Sequence, residues 1–368
     1  MTADPPPPPL PTVPGDGGLS WLSWLRVAAM AAVVLIHVAG LTAIAPDARS
    51  TAPGRVAIVA NSSSRWAVPV FVMMSGTLLL DPARYRGARR FLRRRALRLV
   101  PAVVFWHLVY LGYLAVATDR SLDPGTLAQQ ILTGRLWTAL YFFWIVLGLA
   151  VVTPLLIGWV ATATRRAQLA AGAFLSALGP LCLVTVPLRH APYAWLQTAW
   201  TWWIPYLGYY LLGYALRSVV LRRWSLVGGV LVAAAGSALL GWHWRRGTGV
   251  AGLLERYTPA ESYYSPTLVL IAVSVFLVAR ATMRPAGMLR VACRPVAAVL
   301  GRRLGEVTLG VFGVHLLVLE LVLRLPVLGG NPAADSVGQL LTRCVTVFVL
   351  AYLIALVASR LPVLRRVF

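Results

Sequence analysis

The chain of 368 residues has no lysine, only eleven acidic residues and three cysteines. Charged residues make up 12% of it, about half the share usual in a soluble globular protein. With 59% apolar residues and a mean hydropathy of +0.74, there is too little polar surface to cover a soluble particle of this size. A soluble enzyme, a secreted disulfide scaffold and a disordered protein are therefore excluded. Cys182, Cys293 and Cys344 are scattered, with no pair at metal-ligand or redox spacing, so neither a disulfide framework nor a metal site is expected. The first residues have neither the basic start nor the small-residue cleavage site of a signal peptide, so the first apolar segment is expected to be retained.

What the sequence has in abundance is apolar runs of spanning length. Ten candidate spans lie near residues 21–45, 66–80, 97–117, 138–159, 168–188, 199–217, 225–244, 265–282, 305–325 and 338–361. The second is short and extends back, if at all, through the polar stretch from Asn61 to Arg65. The expectation is an all-α, polytopic integral membrane bundle of about ten transmembrane helices over residues 19–368. A Pro-rich tail over residues 1–18, which cannot build a core, precedes it.

The net charge of +23 comes from 34 arginines, gathered in short loops between apolar runs, which points to membrane topology rather than to a nucleic-acid partner. With the N-terminus inside, the cytoplasmic segments hold 22 arginines and the outer segments 11, with Arg26 inside the first span. That bias predicts cytoplasmic N- and C-termini.

The first span carries two ionisable residues, Arg26 and His37, eleven positions apart. Eleven helical steps return to within about 20° of the starting direction and rise about 16 Å. The two therefore share one helix face. If Arg26 lies at the cytoplasmic interface, His37 lies near mid-membrane, where an ionisable side chain is costly and marks function by default. A neutral histidine bonded to a neighbouring helix is the alternative. The second span, through PVFVMMSGTLLL, carries Ser75 and Gly76, a pairing that more often serves close helix packing than chemistry. Before the third span, eight arginines fall within Arg84–Arg98; guanidinium binds phosphate oxygens bidentately, and the same run also anchors a loop against anionic lipid. Glu306 and Glu320, at or inside the ninth span, are rare enough there to be candidates for orienting a histidine. His107, His190 and His243 are read as structural or interfacial.

In this order, Arg26 to His37, PVFVMMSGTLL and Arg95-x-x-Arg98 before Pro101 resemble the signature segments of the membrane-bound acyltransferase 3 family. Later segments at 141–156, 202–216 and 304–318 are similar to family segments in the expected order, so the resemblance spans roughly residues 20–360. It is closest to the WecH-like branch of surface-polysaccharide O-acetyltransferases. One departure is VFGVHLLV, where Phe312 and Leu316 stand in place of the Tyr and Pro common in the family, around His315.

The resemblance implies an integral membrane O-acyltransferase in a plasma membrane, such as a bacterial inner membrane. The donor would be acetyl-CoA and the acceptor a hydroxyl of a glycan or glycolipid, with no metal. It places His37 and Arg26 in catalysis and Arg95 and Arg98, with Arg94 beside them in the run, at the CoA phosphates; Ser75 and His315 are accessory candidates, as is Glu306 from its rarity within a span. His37 would act as general base or as acyl carrier. The rival reading is a proton-coupled transporter or flippase for an anionic or glycan substrate, which the same intramembrane charges would serve.

The charge asymmetry carries its own test. Single cysteines placed near residues 84–95 and 245–260 should label from opposite faces of the membrane. Labelling of both from one face would overturn the ten-span arrangement.

Overall fold

The computed structural model describes residues 20–117, 123–188, 198–246, 263–284, 286–325, 328 and 330–368. The Pro-rich tail lies outside the described residues, as does His190. Among the described residues the regular structure is entirely helical. The main helices are α1 (Ser20–Ala43), α2 (Ala52–Ser64), α3 (Ala67–Leu79), α4 (Ala88–Ala117), α5 (Pro124–Leu132), α6 (Tyr141–Thr162) and α7 (Arg165–Leu188). They continue as α8 (Leu207–Ala215), α9 (Arg223–Arg246), α10 (Pro266–Thr282), α11 (Pro295–Glu306), α12 (Thr308–Leu323) and α13 (Val337–Ala358).

Among the described residues, six stretches are long and apolar enough to cross a bilayer: α1, the joined α2–α3, α4, α6, α9 and α13. A seventh is the pair α11–α12, if its 62° bend lies within one span. Nine of the ten segments expected from sequence hold helices of 13 residues or more. The tenth, 199–217, differs. Its residues begin as turns and a short 3-10 segment, Ile204–Tyr206, and only nine residues form α8. Nine residues rise about 14 Å, half of a hydrocarbon core about 30 Å thick. Pro205, at the start of that 3-10 segment, has no backbone N–H to extend the α-helical ladder.

α8 is instead an inner wedge, with all of its residues after Leu207 buried. Small residues let it in. A β-carbon on Gly213 would collide with the backbone of Met73, and one on Gly76 would collide with the carbonyl of Tyr210. The hydroxyl of Thr77 donates to the Gly213 carbonyl at 2.8 Å across the same contact. Gly208 meets α7 in the same way, against Ser176. Close approach of this kind replaces the hydrophobic drive that lipid does not supply between helices.

The second span runs 28 residues as α2 and α3, broken only at Arg65–Trp66. Thr51 caps its start by accepting the Gly54 N–H. Sequence position alone put Arg65 in an outer loop; it lies within this span and is buried. Arg343 is likewise inside α13, buried, and donates to the carbonyls of Leu328, Asn331 and Pro332. α4, at 30 residues, is about 45 Å long and exceeds the core thickness, so its arginine-rich first turns stand beyond it. Further along, Tyr110 donates to the Gly313 carbonyl at 2.8 Å, and the missing side chain of Gly313 admits the Trp106 indole. These contacts seat α4 against α12. α1 is at the centre, packed by α2, α3, α10, α11, α12 and α13.

The glycine wedge sets a stability test. Gly213→Val must push α8 off α3 and should cost about 1–3 kcal/mol or more, read as a lower thermal midpoint in detergent. Gly228→Ala, in α9, meets nothing within 4 Å and should be neutral or stabilising by about 0.5–1 kcal/mol from helix propensity.

Candidate functional site

At the end of the bundle where the first turns of α4 project, a cavity of about 480 Å³ opens between α1, α3, α4, α6, α11 and α12. α4 contributes Arg90, Arg94, Arg95 and Arg98 to its wall, α1 contributes Arg26, and the loop before α4 contributes Arg84 and Arg86. The helical period decides which arginines of the run point in. Arg90, Arg94 and Arg98 follow one another at i, i+4 and i+8, with Arg95 beside them, and none of the lining comes from Arg89 or Arg93. Arg95 is half-buried, with its guanidinium 5.5 Å from the centre of the Phe91 ring.

Other residues singled out from sequence meet these arginines. Glu306 ends α11 just before the 62° bend and lines the cavity, and both Glu306 and Arg98 lie within electrostatic reach of Arg26. Ser75 also lines it, with its hydroxyl donated back to the Phe71 carbonyl at 2.9 Å. A serine engaged in this way on its own helix has its proton committed to the backbone. Arg26, Ser75, Arg94, Arg95, Arg98 and Glu306 thus share one wall, though they come from four helices.

Deeper in, the lining changes from cationic to aromatic. Phe71, Phe142 and Phe312 all face the cavity, with Phe142 centred 4.8 Å from Phe312 and 5.9 Å from Phe71. Behind Phe312, 5.6 Å away, is the ring of His315, and 5.2 Å beyond it is the ring of His37. His315 is fully buried. Its Nδ1 lies 2.7 Å from the Phe312 carbonyl, which can only accept, so Nδ1 carries the proton. Its Nε2 is buried with no hydrogen-bond partner and holds a free lone pair. His37 is mostly buried, makes no hydrogen bond among the described residues, and lies behind the cavity lining rather than in it. The site is a cationic mouth, an aromatic floor and an imidazole pair.

Two residues that sequence reasoning passed over surround this pair. Asn61 donates to the Ile36 carbonyl at 2.7 Å, one residue before His37, and accepts from Arg65 Nε at 3.0 Å. The Arg65 guanidinium lies 5.1 Å from the Trp244 ring centre and 5.9 Å from that of Tyr263, and its charge reaches His37. The available signal was the polar run NSSSR inside an otherwise apolar segment. The other candidates lie elsewhere. Glu320 accepts from the Tyr113 hydroxyl at 3.2 Å, and Glu306 stays with the arginines, so neither carboxylate bonds to His37. His107 is turned onto its own helix, Nδ1 to the Val103 carbonyl at 2.7 Å, and against Trp144. His243 is buried beside Trp242. No group of three potential metal ligands occurs among the described residues.

Comparison with known proteins adds one finding. The Acyl_transf_3 family, an acyltransferase domain, matches residues 19–360. No curated protein and no solved structure gives a match. The matched segment takes in α1 to α13 and every residue of the arginine cavity and the imidazole pair. With that coverage and its apolar spanning helices, the chain belongs to the Acyl_transf_3 family and is a multi-pass membrane acyltransferase.

Proposed function

We propose that this chain is an O-acetyltransferase of the WecH-like kind, moving an acetyl group from acetyl-CoA to a hydroxyl of a glycan or glycolipid. In this reading both termini and the arginine mouth face the cytoplasm, in a bacterial inner membrane. One juxtaposition supports it: seven arginines at the mouth of a cavity whose aromatic floor backs directly onto the His37–His315 pair. The arginines suit the phosphates of a nucleotide-bearing donor, since the planar guanidinium forks onto phosphate oxygens. The phenylalanines suit the apolar arm that carries the thioester inward.

His37 takes the proton from the acceptor hydroxyl as its oxygen attacks the thioester carbonyl. The tetrahedral intermediate then expels the CoA thiolate, which leaves with the proton His37 held. If His37 itself attacks first, the acetyl group rests on the imidazole until the hydroxyl takes it, and the same residue is required. His315, with Nδ1–H committed to Phe312, offers only its Nε2 lone pair. An N–H of His37 is the donor that suits it, and that bond would fix the His37 tautomer.

Direct measurement of acetyl transfer by purified protein in lipid tests the reading, and substrate transport without any acyl transfer would overturn it. His37→Ala should lower turnover by about a hundredfold to ten-thousandfold, the usual span for a general base, with acetyl-CoA affinity retained. A loss below about tenfold would make His37 structural.

The two faces of the α4 arginine run give a second test. Arg95→Lys keeps the charge and loses the fork, and should weaken acetyl-CoA binding about tenfold in a protein that inserts normally. Arg89→Ala lies off the cavity and should change it little. Equal losses from Arg89→Ala and Arg95→Ala would mean that bulk positive charge alone matters.

A further inference from the structure

A second cavity, of about 1120 Å³, shares no lining residue with the arginine cavity. It lies between α1, the α2–α3 span, α9 and α10. α9 contributes Val230, Ala234, Ala238, Trp242 and Arg245, one helix face at near four-residue spacing. Val230, Ala234, Ala238 and Trp242 are exposed along a span, where exposure means contact with the bilayer. The groove is therefore open sideways to hydrocarbon.

Its two ends differ. α9 and α10 run antiparallel, with Gly229 against Val278 and Gly236 against Ile271. One end thus lies at Val230, Met283 and Leu289, all apolar, and the other at Arg245. Arg49, from the turn after α1, lines the groove with Arg245, and among the described residues these are its only ionisable ones. Both are exposed, and neither has a hydrogen-bond or carboxylate partner among the described residues. Two uncommitted guanidiniums at the end of an apolar trough complement a phosphate carried on a hydrocarbon chain.

Length narrows the class. α9 runs about 35 Å from Arg223 to Arg246, so with its two ends at the interfaces the midplane falls near Ala234, and the lining continues past it to Val230, Met283 and Leu289. A chain confined to the leaflet of its own head group leaves the far end of the trough empty. We infer that this groove binds a lipid phosphate of the polyisoprenoid kind, its phosphate on Arg49 and Arg245 and its chain passing the midplane between α9 and α10. That such a lipid carries the acceptor hydroxyl rests on the acyltransferase reading above; the binding itself does not.

Binding is measured on the full chain in phosphatidylcholine nanodiscs with a photoreactive long-chain polyprenyl phosphate. Crosslinks should fall on α9 and α10, and excess phosphatidylglycerol should compete at least tenfold less well than unlabelled polyprenyl phosphate. Arg49→Gln with Arg245→Gln, or Ala238→Leu, which fills the trough, should each reduce crosslinking at least fivefold while the thermal midpoint in phosphatidylcholine stays unchanged. Equal competition by phosphatidylglycerol would reduce the groove to a site for ordinary anionic lipid and overturn the inference. Crosslinking that is equal for an uncharged polyprenol, or confined to helices off the groove, would overturn it too. The competition and mapping experiments use the unmodified protein, so they decide the matter even if a variant misfolds, and none of them depends on acyl transfer.

Discussion

Holding Arg26 and His37 on one face of a single helix inside a bilayer is the constraint around which this molecule is arranged. Neither side chain can be left to hydrocarbon at a tolerable cost, so the helix that carries them must be enclosed by protein on that face. α1 is accordingly the central helix, touched by six others. The enclosure is specific at each depth. The arginines of α4 and Glu306 of α11 surround Arg26, while His315 of α12 and Asn61 of α2 meet α1 around His37. The short α8 is wedged against α3 and α7, and so backs the α2–α3 span that carries Asn61.

The two cavities divide the polar and apolar work. One is cationic at its mouth and aromatic at its floor, which backs onto His315. The other is apolar along its length and cationic only at one end. They lie on different sides of α1: Arg26 faces the first, while its near neighbours Leu25 and Ala28 face the second. In the reaction proposed above, a water-soluble donor and a membrane-held acceptor would need two approaches that do not obstruct each other, and these two sides of one helix would provide them.

How far the sequence could be read depended on whether a signal was local or tertiary. The shared face of Arg26 and His37 follows from helical arithmetic, and the apolar runs located most of the helices because composition alone decides them. Family resemblance singled out Arg95, Arg98 and the segment of Ser75, the arginine run added Arg94, and rarity within a span singled out Glu306; all of them line one cavity. Arg65 was misplaced because counting arginines between apolar runs treats each one as a loop residue, whereas a guanidinium bonded to Asn61 and stacked on Trp244 can be held inside. The shortness of α8 was hidden because its flanking aromatic residues are as apolar as a helix would need. The distinction between Arg89 and Arg90, and the meeting of His37 with His315, depend on how α4 and α12 rotate against α1, which no spacing within one segment reveals.

The absence of lysine acquires a chemical meaning at the arginine cavity. Every cation lining it is a guanidinium, which stays protonated at any physiological pH and does not act as a nucleophile. A lysine in the same position would be a primary amine held beside an activated acyl group, and burial lowers a lysine's pKa and frees its lone pair. Such a wall would slowly acylate itself, losing the charge that would hold an acyl-CoA donor. In the reaction proposed above, a wall of arginine would grip the donor's phosphates equally well and present its thioester with no amine to consume it, leaving imidazole as the nitrogen nucleophile.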